Sequence, residues 1–123
     1  MLVWTKNEAN TSTVQASFRP KDGSFDAPAG VLAGGFDPDV AVDEQGNALV
    51  VAAGEDGRVY SAFKPRTGSL HAAQAISDVN GSTPRIALDT DGDALAVWST
   101  DNGGPIQASF MTTLSLTTAP GLT

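Results

Sequence analysis

Pro38-Asp39-Val40-Ala41-Val42-Asp43-Glu44-Gln45-Gly46-Asn47-Ala48-Leu49-Val50-Val51 aligns without a gap on Pro84-Arg85-Ile86-Ala87-Leu88-Asp89-Thr90-Asp91-Gly92-Asp93-Ala94-Leu95-Ala96-Val97. The displacement is 46 residues at both ends, 38 to 84 and 51 to 97. The likeness extends outward. Val14-Gln15-Ala16-Ser17-Phe18, Val59-Tyr60-Ser61-Ala62-Phe63 and Ile106-Gln107-Ala108-Ser109-Phe110 are three versions of one segment. Val3-Trp4-Thr5, Val51-Ala52-Ala53 and Val97-Trp98-Ser99 are three versions of another. Gly23-Ser24-Phe25 returns as Gly68-Ser69-Leu70, and the stretch from Ala27 to Gly34 returns as Ala72 to Gly81 with a small insertion. Segments recurring in the same order imply one structural unit used repeatedly.

Pattern and punctuation divide each unit into four strands. In the middle unit, strand A is Pro38 to Asp43 and ends in the turn Glu44-Gln45-Gly46-Asn47. Strand B is Ala48 to Ala53, ending in Gly54-Glu55-Asp56-Gly57. Strand C is Arg58 to Lys64, ending in Pro65-Arg66-Thr67-Gly68. Strand D is about Ala72 to Ser77, ending in Asp78-Val79-Asn80-Gly81. Short apolar runs bounded by Gly, Asp, Asn and Pro are the mark of an all-β chain. No segment sustains a 3.6-residue apolar stripe, so no significant helix is expected. On strand C, Val59, Ser61 and Phe63 share one face while Tyr60 and Ala62 share the other. Strand B is apolar on both faces, as a strand between neighbouring sheets must be.

A period of this length fits a β-propeller with one four-stranded antiparallel blade per unit. Ala41, Ala48, Ala87 and Ala94 suit the crowded region where blades converge. The chain holds about 2.7 units and about 11 strands, whereas closed propellers use roughly 4 to 8 blades. The expectation is a single domain over 1–123 forming a partial propeller: an incomplete blade at 1–34, a blade at 35–80 and a blade at 81–123. Such an array exposes its end sheets and their edges. It is therefore expected to be part of a longer protein, or to self-associate into a ring; two half-rings would approach six blades.

The pattern Pro-x-hydrophobic-Ala-hydrophobic-Asp-x-x-Gly-Asn/Asp-Ala-hydrophobic-x-Val, followed by Trp, Asp-Gly and x-Gln-Ala-Ser-Phe, resembles bacterial β-propeller repeats. It is similar to the NHL-like group and to arrays common in secreted or surface proteins. The resemblance spans nearly the whole chain, but its motif consists of turn and core residues. It implies binding, scaffolding or support of an enzyme, and it transfers no functional residue.

The net charge of −7 disfavours phosphate backbones, so nucleic acid is a poor partner. Cysteine is absent, which excludes disulfides, thiolate metal sites and a cysteine nucleophile. The longest apolar run, Ala48 to Ala53, is too short to span a membrane. No signal peptide is visible at Met1 to Lys6. An extracellular or cell-surface location is nevertheless favoured by the resemblance and the cysteine-free repeats. Arg19, Lys21, Lys64 and Arg66 gather in the expected C–D turns, read foremost as solvated hairpin tips.

Chemistry-bearing candidates are few. Asp89, Asp91 and Asp93 alternate around Gly92 and could converge on a hard cation such as Ca2+. The spacing is not that of an EF-hand, and the equivalent Asp43-Glu44-Gln45-Gly46-Asn47 carries fewer acids. The preferred reading is a hairpin turn capped by Asp43 and Asp89, with positive φ at Gly46 and Gly92. The sialidase Asp-box spacing is not met, and Trp4 and Trp98 read as packing residues. His71 is the sole histidine and has no Gly-x-Ser-x-Gly partner. No catalytic residue and no cofactor is assigned.

Three functional classes follow: a noncatalytic repeat module for binding or assembly, a carbohydrate-binding lectin completed by oligomerisation, or the scaffold part of a larger hydrolase. The first is preferred, with a protein or carbohydrate ligand. On a propeller the B–C and D–A loops share one face, which here places Glu8, Asn10, Asp37, Asp56, Asn80, Asp101 and Asn102, with Ser82, as ligand-binding candidates.

Overall fold

The computed structural model describes residues 1–78, 80–100 and 104–112. Among them there are ten strands and no helix: β1 (Leu2–Glu8), β2 (Thr11–Ser17), β3 (Ala29–Ala33), β4 (Gly35–Val42), β5 (Ala48–Gly54), β6 (Val59–Lys64), β7 (Gln74–Ala75), β8 (Gly81–Leu88), β9 (Ala94–Thr100) and β10 (Ile106–Met111). They form three antiparallel sheets in chain order: β1-β2-β3 (sheet I), β4-β5-β6-β7 (sheet II) and β8-β9-β10 (sheet III). An eleventh strand, expected at Leu114 to Thr117, lies outside the described residues.

The two aligned segments have one backbone design. In β4–β5 the pairs are Asp39↔Val51, Val40↔Val50, Ala41↔Leu49 and Val42↔Ala48. In β8–β9 they are Arg85↔Val97, Ile86↔Ala96, Ala87↔Leu95 and Leu88↔Ala94, each displaced by 46 on both strands. Both pairings shift at a bulge, between Phe36 and Asp39 and between Ser82 and Arg85. Asp37 and Thr83 both sit there at φ +51°. The sequence places strand A's start at Pro38; the structure runs the strand through the proline and begins it at Gly35. A proline has no N–H for the ladder, and a bulge is where a sheet tolerates one.

The turns are duplicated too. Asp43 N–H donates to Asn47 O and Gly46 N–H to Asp43 O, matching Asp89 to Asp93 and Gly92 to Asp89. Asp43 Oδ1 accepts the Asn47 N–H at 2.9 Å, as Asp89 Oδ1 accepts the Asp93 N–H at 2.9 Å. Gly46 and Gly92 take φ of +92° and +86°, which a side chain would resist. The third set of segments also agrees: Trp4↔Gln15, Ala52↔Tyr60 and Trp98↔Gln107 are cross-strand partners.

The sheets stack face to face. All seven residues of β5 are buried, because β5 lies inside the middle sheet and is covered on both faces. Toward sheet III, Leu49, Val51, Val59 and Ile76 pack with Ala94, Ala96, Trp98 and Met111, while Phe63, Ile86 and Leu88 close the margin. Toward sheet I, Val14 and Ala16 are buried, and Val31 and Leu32 of β3 approach Val50, Ala52 and Ala62. Burying a Val or Leu side chain contributes about 1.5–3 kcal/mol, so these two interfaces are the principal source of stability. Asp39 adds a polar link, its Oδ2 accepting the Ile86 N–H of β8 at 2.9 Å.

Strand D is shorter than its expected span. The ladder with β6 covers Gln74 and Ala75, and beyond it the Ile76 N–H still donates to Val59 O at 2.8 Å, with Ile76 and Ser77 buried. Ser77 Oγ instead accepts the Val59 N–H at 2.7 Å. Its side chain does there what a ladder carbonyl would have done.

Candidate binding face

The expected meeting of B–C and D–A loops begins with backbone hydrogen bonds. The chain crosses from sheet I to sheet II at Gly34, whose φ is +67°. Gly34 N–H donates to Ser12 O at 2.8 Å, and its carbonyl accepts the Glu55 N–H at 2.7 Å. Farther along, the Gly81 N–H donates to Gly57 O at 2.8 Å, where the chain enters sheet III. The turn Gly54–Gly57 is thus tied to the crossing on either side. Ser12 Oγ donates to Glu55 Oε1 at 3.0 Å, adding a side-chain link.

Between these loops lies a shallow groove of about 440 Å³, lined by Phe36, Gly54, Glu55, Gly57, Asn80, Gly81 and Ser82. Glycine is required for this closeness at Gly81. A Cβ there would come within 2.8 Å of Val59 Cγ2 and 3.2 Å of Trp98 Cδ1. Asn80, at φ +70°, and Ser82 are sequence-proposed residues that line the groove. Phe36, 40% exposed, supplies an apolar edge, and Glu55 a carboxylate. Neither was chosen from sequence, although an aromatic beside Gly35 and an acid beside Asp56 were available signals.

The other proposed residues are placed differently. Asp56 is exposed beside the groove and accepts the Tyr60 hydroxyl at 2.6 Å and the Arg58 N–H at 3.1 Å. The Tyr60 hydrogen bond holds the Asp56 carboxyl below its ordinary value, and the same bond pushes the Tyr60 phenol up. Asp37 lies at the β4 bulge with Oδ1 at 3.5 Å from Arg85 Nη1. Glu8 pairs with Lys6 at the end of β1, and Asn10 is exposed in the next turn; neither lines this groove. Asp101 and Asn102 lie outside the described residues.

The Asp89 turn uses its acid locally. Asp89 Oδ1 accepts both the Asp91 and Asp93 N–H groups at 2.9 Å. Among the described residues no three His, Cys, Asp or Glu side chains converge as a metal site would require. His71 is exposed and packs edge-on against Phe63, with ring centroids 5.4 Å apart. Trp98 is buried and its Nε1 donates to Gln107 Oε1 at 3.2 Å, whereas Trp4 is half-buried. No helix among the described residues is long and apolar enough to cross a membrane.

A second surface is set by the stacking itself. In sheet III, Leu95, Val97, Ala108 and Phe110 occupy the face turned away from sheet II. Leu95 is 45% and Phe110 56% exposed, while their counterparts in sheet II, Leu49 and Phe63, are buried and half-buried under sheet III. At the opposite end, Leu2 is 53% exposed on the Trp4 face of sheet I. No protein-family model matches the sequence, and no curated protein is significantly similar to it.

Proposed function

We propose that the chain is a noncatalytic β-propeller module for assembly and binding, organised in units over 1–34, 35–80 and 81–123. The observation that carries this reading is the contrast between matched faces. Leu49 and Val51 are fully buried under sheet III, while Leu95 and Val97, in the same register, retain exposure. A face built for stacking and left uncovered by the described residues is an association surface. The bare face of sheet III is equivalent to the covered face of sheet II. The bare face of sheet I, with Trp4, is equivalent to the face of sheet III that carries Trp98. The two ends therefore match head to tail, and repeating such a contact closes a ring or continues a stack.

Further sheets from the same polypeptide or from a second copy would use the same contacts. For the isolated chain the source is a second copy, and the groove along the Gly54–Gly57 rim then recurs around the assembly as a face for a protein or carbohydrate ligand. Light scattering on the chain at increasing concentration tests the assembly. A mass rising above that of one chain is expected, and Leu95→Lys with Phe110→Lys should return it to the monomer with the β-sheet circular dichroism retained. A folded chain that stays monomeric throughout would end this reading.

A further inference from the structure

We propose a second site on the opposite rim, one that binds a tetrahedral oxyanion: phosphate or sulfate, free or as a monoester. The turn after β2 and the two turns of sheet II at this rim enclose a cleft of about 510 Å³. Arg19 and Lys21 enter it from the first turn and Arg66 from the turn after β6, with Gly46 and Glu44 of the β4–β5 turn between them. These are three of only seven basic residues in a chain of net charge −7, so their meeting in one cleft runs against the overall field.

Among the described residues the cations have no carboxylate paired with them. The ion pairs among the described residues involve Lys6 and Arg85, and neither Arg19, Lys21 nor Arg66 takes part. They are nevertheless positioned. The Arg66 N–H donates to Asn47 Oδ1 at 2.9 Å, and its stem lies over Gly46, where an added Cβ would meet Arg66 Cγ at 3.4 Å. The Arg19 guanidinium stands 5.8 Å from the centre of the Phe25 ring. Lys64 places a fourth positive charge behind the wall, its Nζ 4.2 Å from the centre of the Phe18 ring and donating to Pro65 O at 2.7 Å.

Three cationic side chains supplied by two turns suit a group with three outward oxygens better than a planar carboxylate, which one bidentate arginine satisfies. Glu44 in the lining opposes the anion, so its charge sets the affinity without creating the site. This rim lies apart from the groove of Phe36 and Asn80, and the inference does not depend on ring assembly.

Titration of the chain with inorganic phosphate and with sulfate at matched ionic strength, followed by amide chemical shifts, tests the site. Saturable shifts are expected at Lys21, Gly46 and Arg66. Lys21→Gln and Arg66→Gln should each weaken binding about tenfold, Glu44→Gln should tighten it, and Arg58→Gln, the same charge change elsewhere, should leave it unaltered. Acetate at the same concentration should give no saturation. Non-saturating shifts, acetate binding as well as phosphate, or an equal loss in Arg58→Gln would each overturn the proposal.

Discussion

The hairpins β4–β5 and β8–β9 carry the same register, the same bulge and the same turn hydrogen bonds, yet their side chains occupy different environments. Val50, Leu49 and Val51 of the first are fully buried between two sheets, whereas Leu95 of the second is 45% exposed. Backbone design here is local and is written within each hairpin. Stability is not local: it comes from whichever sheet lies above. The two hairpins are therefore a natural experiment in which conformation is fixed and burial varies.

The largest expected effect follows directly. Leu49→Ala removes a side chain in the core shared with Trp98 and Met111 and should cost about 2–5 kcal/mol. Leu95→Ala, at the same register position, should cost less than about 1 kcal/mol in the monomer. Urea denaturation of both variants, under dilute conditions that disfavour association, makes the comparison. Equal losses would mean that the outer face of sheet III is covered in solution and that the contrast is false.

Next is the polar link between the hairpins. Asp39 accepts the Ile86 N–H, while the residue equivalent to Asp39 is Arg85, which turns to Pro84 O and Asp37 instead. Asp39→Ala leaves a backbone donor on β8 without its partner and should cost about 1–3 kcal/mol. Thermal unfolding measures the loss, and protection of the Ile86 amide against hydrogen exchange should fall with it. Retained protection would show that the link is dispensable.

A smaller difference lies in the turns. Asn47 Nδ2 donates to Asp43 Oδ2 at 2.9 Å and Asn47 Oδ1 accepts the Arg66 N–H, so one amide joins two turns. The second hairpin has Asp93 at this place, which puts a carboxylate where that donor stood. Asn47→Asp should cost about 1 kcal/mol, and Asp93→Asn should gain about 0.5 kcal/mol, in each case by gaining or losing one such bond. Melting temperatures of the two variants should move in opposite directions; a shared direction would break the equivalence of the turns.

These expectations also show which parts of the structure sequence could reveal. The hairpins were legible because Asp43, Gly46 and Asn47 settle their turn within five residues, and the same offsets return at Asp89, Gly92 and Asp93. The bulges were not, because proline at 38 and 84 reads equally as a strand start and as an interruption. Strand D was overdrawn: Ala72 to Ser77 has strand-like composition, but the ladder covers only Gln74 and Ala75, and past the bond from the Ile76 N–H to Val59 O the Ser77 hydroxyl takes the Val59 N–H. The meeting of loops around Asn80 and Ser82 followed from strand order. Phe36 and Glu55 were missed because their place in the groove depends on the crossings at Gly34 and Gly81, which are tertiary events. Glu8 and Asn10 belong to the β1–β2 turn, the B–C loop in which they were expected, and do not line this groove.

The smallest effect belongs to a contact found in the middle sheet. Tyr60 donates to Asp56, whereas its counterpart in sheet III, Gln107, accepts from Trp98. The bond favours an ionised Asp56 and a neutral Tyr60. The Asp56 carboxyl, held below its ordinary value of 3.8, contributes stability that is present above that value and is lost as pH falls through the folded one. The Tyr60 phenol, raised above 10.0, contributes stability that is present below that value and is lost as pH rises through the folded one. Both groups are near solvent, so water and salt weaken the effect. Tyr60→Phe should therefore lower the melting temperature slightly across the neutral window, with the gap to the parent closing at both ends of the pH range. Absorbance titration of the single tyrosine should give a value above 10.0 that returns toward it in Asp56→Asn. A gap that persists unchanged at strongly acidic and strongly alkaline pH would show that the hydrogen bond between Tyr60 and Asp56 is not the source of the loss.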